Sequence, residues 1–240
     1  MVKSWLERKR ASKRELQSLI GKLVFVGKCV YSSRIFICRL LSTLRGLKHQ
    51  NHRFKISAEF RKDLQWWDSF VERFNGVTFI PDMIWAEPDL LLSTDACLSG
   101  SGGWSGTQYF SCEFPEFVRV RNFHINILEL LTVLVALKLW GNNLVNKRIK
   151  IFCDNESSVW IINLGKSRDP IMLAIIREIS SICTGFNCQI RAVHLKGVDN
   201  RQSDLLSRAP TDPTICLNRL FNDWKRLEFE DSMFWVSDII

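Results

Sequence analysis

After Pro88 the chain alternates short apolar strands with helical runs, and that order limits the folds open to it more than any other feature. "LLLSTDA" reads as a strand. "GSGGWSG" and "TQYFSCEF" read as two more, with glycines that permit a tight meander. "INILELLTVLVALKLWGNN" has the length and apolar character of a long helix, and "KRIKIFCD" is again a strand. "ESSVWIINLG" and "PIMLAIIREISSICTG" read as helices, "CQIRAVHLKG" as a strand, and "DNRQSDLLSR" as a short helix closed by Pro210. A meander followed by α/β crossovers implies an α/β fold, a mixed five-stranded sheet with helices on its faces.

The first third differs. "SKRELQSLIGKLVFVGKCV" opens with Ser12 as a candidate N-cap and Glu15 three residues on, a capping box. Leu16, Leu19, Ile20, Leu23 and Phe25/Val26 then recur at helical spacing. Gly27, Tyr31, Ser32 and Ser33 suggest a break before a second helix, "RIFICRLLSTLRGL". "SAEFRKDLQWWDSFVERF" fits a third, with Phe60, Leu64, Trp67 and Val71 as its apolar stripe. "NGVTFIPDMIWAEP" is turn-rich and marks a boundary. The expected organisation is a small, mainly helical region over 1–85, an α/β domain over 88–210, and a tail over 211–240 that periodicity does not place.

Charge separates the same parts. Residues 1–62 hold 16 Lys/Arg and 3 Asp/Glu, a net +13, whereas 63–240 hold 17 and 22, a net −5. A basic segment of this kind suits a polyanion, with Lys13, Arg14 and Lys22 as candidate phosphate contacts, although a solvated helix face is the plainer alternative. Nine Trp and sixteen Phe exclude a disordered chain. No apolar run is long enough for a membrane span, and no apolar h-region follows "MVKSWLERKR". Eight cysteines without CxxC spacing suggest reduced, buried thiols. The expected setting is intracellular, cytoplasm or nucleus, and not secreted.

Four acids carry the chemistry. Asp95 and Asp154 each end an apolar strand, and ligands of open α/β sheets bind at that edge. Parallel pairing of those two strands would aim both carboxylates into one crevice. Glu129 lies on a helix that is apolar nearly all round, where a carboxylate is costly without a partner. Asp204 follows a loop rich in Gly, Asp and Asn. Each has a plainer reading. Asp154 could cap the helix after it. Asp95 could form a turn. Glu129 could reach solvent at a helix edge, and Asp204 could be a solvated helix residue. Together they supply what hard divalent cations take, several oxygens without thiolate or a histidine cluster.

Acids in the order Asp–Glu–Asp–Asp, carried by "STDA", "LEL", "CDN" and "NRQSDLLSR", resemble the type 1 ribonuclease H fold over residues 88–210. "HLKGVDNRQSDLLSR" resembles the retroelement form of its last segment. "KRELQSLIGKLVFVGKCVYSSRIFICRLL" resembles the thumb and connection region of retroelement reverse transcriptases. The combination is most similar to tyrosine-recombinase retrotransposons of the DIRS/Ngaro kind.

The resemblance implies an endoribonuclease that cuts the RNA strand of an RNA–DNA hybrid. It implies two Mg²⁺ ions, replaceable by Mn²⁺, held by Asp95, Glu129, Asp154 and Asp204. Gly102, Gly103, Trp104 and Asn155 become candidate contacts to the hybrid, with core packing an equal alternative for Trp104. Two departures stand out. The loop where cellular ribonucleases H often carry a histidine reads "KGVDN", and His194, at the end of the preceding strand, reads as structural. No paired-Asp polymerase hairpin is present, so polymerisation is not expected, and the partner polymerase palm would lie elsewhere in a polyprotein of which this is a fragment or a decayed copy. A DDE-type integrase shares the fold class, but its late Glu has no counterpart in 198–210. The rival outside enzymes is a catalytically inactive nucleic-acid-binding or assembly module derived from a retroelement.

Overall fold

The computed structural model describes residues 1–28, 31–73 and 87–236, so most of the turn-rich boundary segment and Cys29 lie outside the described residues. The chain divides into two compact units, Met1–Met83 and Ile84–Ile240. Among the described residues no helix is long and apolar enough to cross a membrane.

The first unit comprises α1 (Val2–Leu6), β1 (Arg10–Ser12), α2 (Lys13–Gly27), a 3-10 turn (Tyr31–Arg34), α3 (Ile35–Arg45), β2 (Arg53–Lys55) and α4 (Ala58–Arg73). The capping box forms as the sequence leads one to expect. Glu15 N–H donates to Ser12 Oγ at 3.3 Å, and Ser12 N–H donates to Glu15 Oε2 at 2.7 Å. Leu16, Leu19, Ile20 and Leu23 are buried, but Phe25 is 73% and Val26 42% exposed. A 3.6-residue period carries the stripe from Leu23 to Gly27, which packs against Ser33, and so turns Phe25 outward. On α4, Phe60, Leu64 and Trp67 are buried while Val71 is exposed. The apolar face turns instead toward Trp66, which stacks on Phe36 at 3.8 Å and on Phe70 at 5.1 Å. Periodicity gives no sign of the β1–β2 ribbon, whose strands are only three residues long. Ala11 faces Phe54 on its inner side, and Arg10 faces Lys55 on its outer side.

The second unit contains β3 (Leu90–Ala96), β4 (Gly100–Ser105), β5 (Gln108–Glu113), α5 (Glu116–Arg119), α6 (Ile125–Leu139), β6 (Arg148–Cys153), α7 (Glu156–Leu164), α8 (Pro170–Gly185), β7 (Gln189–His194), α9 (Arg201–Arg208), α10 (Leu217–Leu220) and β8 (Lys225–Arg226). The strands lie in the order β7-β6-β3-β4-β5-β8. β3, β4 and β5 form the antiparallel meander, turning at Gly106 with φ +57°, while β6 runs parallel to β3 and β7 parallel to β6. The expected mixed sheet of five strands is present, and the tail adds a sixth, β8, parallel to β5.

The two helices that matter for the site cover opposite faces of this sheet. Thr132 on α6 donates to Ser101 Oγ on β4 at 3.1 Å. Ser111 on β5, paired with Gly102, donates to the carbonyl of Leu206 on α9. Alternation along β4 therefore sends Ser101 toward α6 and Gly102 toward α9. α6 is buried along most of its length, which explains its lack of a polar face. The tail packs onto the same unit: Phe221 lies 5.2 Å from Tyr109, Trp224 lies 5.5 Å from Trp104, and Lys138 Nζ donates to the carbonyls of Met233 and Trp235.

Candidate active site

Parallel pairing sets the first two acids side by side. Ser93 on β3 is in register with Phe152 on β6, so two residues further along each chain Asp95 and Asp154 stand at the same edge. Asp95 also pairs with Gly102 on β4, and its side chain turns to the α9 face. Glu129 reaches the edge from the other face, on the second turn of α6, and is 3% exposed. Asp204 comes from the first turn of α9.

α9 is held on β3 by a buried polar chain. Asn200, its N-cap, accepts a hydrogen bond from Ser93 Oγ at 2.8 Å and donates to the carbonyl of Thr94 at 3.1 Å. Ser203 Oγ donates to Ser93 Oγ at 2.9 Å. These bonds fix the helix one turn before Asp204. Ser207 then donates to Asp95 Oδ2, and Arg208 Nε pairs with Asp204 Oδ1.

Burial and mutual repulsion dominate the electrostatics. Burial pushes the Asp95 carboxyl up to about 7, the Ser207 hydrogen bond opposes this, and the charges of Asp154 and Asp204 add to the rise. Burial pushes Glu129 up to about 9, with further contributions from Asp95 and Asp154. The Ala96 N–H and the Cys153 thiol partly offset that shift. Asp154 is also raised, first by burial and then by Asp204, against its own backbone N–H, His194 and Arg208. Desolvated carboxylates that repel one another are stabilised by a multivalent cation, so these oxygens fit a divalent metal.

Among the described residues, Glu129, Cys153 and Asp154 form a potential ligand group whose ligating atoms lie within 4.8 Å of one another; Asp95 and Asp204 stand outside it. Cys153 Sγ lies 3.6 Å from Glu129 Oε2. From the sequence this cysteine reads only as an ordinary buried thiol. The signal for its place lies in the alternation of Ile149, Ile151 and Cys153, which points the thiol to the α6 face beside Glu129. Sequence reasoning also misses Ser207 and Arg208, although each lies within one helical turn of Asp204.

Other candidates take different places. Asp154 is not the cap of α7. Asn155 is, accepting from Ser158 N–H at 2.9 Å and donating to Asn126 Oδ1 at 2.8 Å. Asn155, expected as a contact to the hybrid, thus has its side chain engaged between α7 and α6. Gly102 and Gly103 do not line an open channel. A Cβ on Gly102 would meet Leu206 C at 2.5 Å and Ser207 N at 2.6 Å, and one on Gly103 would meet Phe110 at 2.8 Å. Both are buried, and Gly102 is there because α9 lies directly on β4. Trp104 is half-buried against the Tyr109, Leu206 and Phe221 cluster, which favours its packing role. His194 is exposed, with Nε2 3.0 Å from the carbonyl of Asp154. In the first unit Arg14 and Lys22 are exposed, while Lys13 Nζ donates to the carbonyl of Lys48 at 3.3 Å.

No protein family and no curated protein matches this chain. Among solved structures, LC11-RNase H1, isolated from compost by a metagenomic approach, matches 53% of this chain and 98% of its own length, at 18% identity and a TM-score of 0.36.

Proposed function

We propose that the second unit is a ribonuclease H-type endonuclease that cleaves the RNA strand of RNA–DNA hybrids. The observation that supports this most is the convergence of Asp95, Glu129, Asp154 and Asp204 at the carboxyl edge of two parallel strands, with burial raising three of them. These four residues would hold two Mg²⁺ ions, with Mn²⁺ able to replace them. Bound there, such ions supply an activated water and charge stabilisation for the leaving oxygen of a phosphodiester.

The chain's own groups prepare the site. Ser207 fixes the orientation of Asp95, and Arg208 holds Asp204. The Ala96 N–H and the Cys153 thiol orient Glu129. The Asn200 network keeps α9, and so Asp204, on the sheet. In the first unit, Lys13, Arg14 and Lys22 belong to the basic region that would hold backbone phosphate. A retroelement polyprotein, with its polymerase palm outside this chain, is the context that residue patterns in both units support.

The test is cleavage of a labelled hybrid with and without Mg²⁺, by the parent, Asp154→Asn and Glu129→Gln. The parent should cut only with metal. Both variants should lose cleavage, and with it the stabilisation that Mg²⁺ or Mn²⁺ gives the parent by mass action, while melting temperature without metal holds or rises. Parental cleavage by Asp154→Asn would leave the inactive binding module as the better account.

A further inference from the structure

Cys153 sits where an oxygen-only metal site has no use for sulfur. It ends the buried face of β6, is fully buried, and immediately precedes Asp154. Its position is set by strand pairing, in register with His194 on β7. Sγ receives the N–H of Asn155 at 3.4 Å, a backbone donor aimed at the sulfur from the turn into α7. Across the crevice Sγ lies 3.6 Å from Glu129 Oε2.

We propose that Glu129, Cys153 and Asp154 form a site for a thiophilic divalent cation of the zinc class, which competes with magnesium for the two carboxylates. The inference rests on the reading of these acids as metal ligands and extends it to which metals the site admits. Three ligating atoms on three side chains already lie within 4.8 Å of one another. With Zn–S about 2.3 Å and Zn–O about 2.0–2.2 Å, the S···O edge of a tetrahedral site is about 3.6 Å. The observed 3.6 Å separation therefore needs little rearrangement to take the ion. Three protein ligands leave the fourth position to water.

The donor set decides the preference. Carboxylates alone suit Mg²⁺ and Mn²⁺, whereas a thiolate selects zinc and its softer relatives. On binding, the thiol proton that now points to Glu129 passes to solvent, and the freed sulfur lone pair forms the metal–sulfur bond. Nothing is oxidised. The Asn155 N–H remains on the sulfur as a partner for its negative charge. Glu129 and Asp154 are then occupied by an ion held in part through sulfur and are withdrawn from magnesium, so zinc inhibits the magnesium-dependent reaction.

Cobalt(II), a spectroscopic stand-in for zinc, tests this on the full chain. Titration of the parent should produce a sulfur-to-cobalt charge-transfer band that excess Mg²⁺ suppresses. Cys216→Ser, which removes an exposed thiol elsewhere, should keep the band. Cys153→Ser should lose it and bind cobalt about tenfold or more weakly. If Cys153→Ser does not fold, Cys153→Ala should lack the band and Glu129→Gln should bind cobalt about tenfold or more weakly. No band in the folded parent, or an equal band in Cys153→Ser, overturns the proposal. Magnesium-dependent cleavage without the band leaves the ribonuclease reading in place and removes this one. The band without cleavage does the reverse.

Discussion

Ser207 donates its hydroxyl hydrogen to Oδ2 of Asp95 at 2.5 Å, joining the last turn of α9 to the end of β3. The bond is the main influence opposing the burial that raises the Asp95 carboxyl to about 7. A hydroxyl bonded to an ionised carboxylate stabilises more than one bonded to a neutral acid. Ser207→Ala should therefore cost about 1–3 kcal/mol above about pH 8 and less near pH 5. Urea denaturation at the two pH values measures the difference. An equal cost at both would show that Asp95 does not change charge between them.

Metal-free stability should fall as pH rises. Asp95 and Glu129 titrate at about 7 and about 9 in the folded chain, above the ordinary 3.8 and 4.5 of these side chains. Between these limits the folded state retains protons that the unfolded chain has released, so raising the pH favours unfolding. Stability is greatest below about pH 4 to 5 as far as these two groups are concerned, and is lost as pH climbs through the folded values. Each proton difference contributes about 1.4 kcal/mol per pH unit. Melting scans in chelator from about pH 5 to 9 should show a decline that Glu129→Gln makes shallower and saturating Mg²⁺ largely removes. A flat profile in chelator would contradict the buried-carboxylate account.

The α7 cap separates two neighbouring residues. Asn155 accepts from Ser158 N–H, so Asn155→Ala should cost about 1 kcal/mol, with removal of the bond to Asn126 adding to it. Asp154→Ala removes no cap and relieves repulsion with Asp204, so its melting temperature should hold or rise at neutral pH. Differential scanning calorimetry of both proteins decides the order. A larger loss for Asp154→Ala would restore it to a structural role.

Binding to the nucleic-acid backbone should carry the imprint of the basic first unit. Changing Lys13, Arg14 and Lys22 to Gln together should lower the slope of log K against log salt by about 0.9 for each DNA-duplex phosphate that the protein no longer neutralises. Fluorescence anisotropy across a salt series measures this. An unchanged slope would assign these charges to solvent, and would turn attention to the ribbon, where Arg10 stands opposite Lys55 despite like charge.

Local chemistry made much of this protein legible from its sequence. Ser12 and Glu15 satisfy each other's backbone donors across three residues, so their capping box can be read without any knowledge of the fold. The strand and helix order of residues 88–208 follows from periodicities of two and 3.6 that near neighbours carry. Asp95 and Asp154 are recognisable at strand ends for the same reason.

What the tertiary structure decided depends on residues far apart in the chain. Parallel pairing of β3 with β6 sets Asp95 beside Asp154, and packing of α6 on the opposite face from α9 brings Glu129 against Cys153. The close approach of α9 to β4 gives Gly102 its reason, which a glycine-rich string alone could not distinguish from a turn or a channel wall. Asn155 rather than Asp154 became the helix cap because the chain leaves β6 with only one of the two side chains turned back to Ser158. The tail found its place only through rings on other elements, Phe221 on Tyr109 and Trp224 on Trp104. Periodicity is a property of neighbours, whereas a site that draws ligands from two strands and two helices exists only once distant segments have packed.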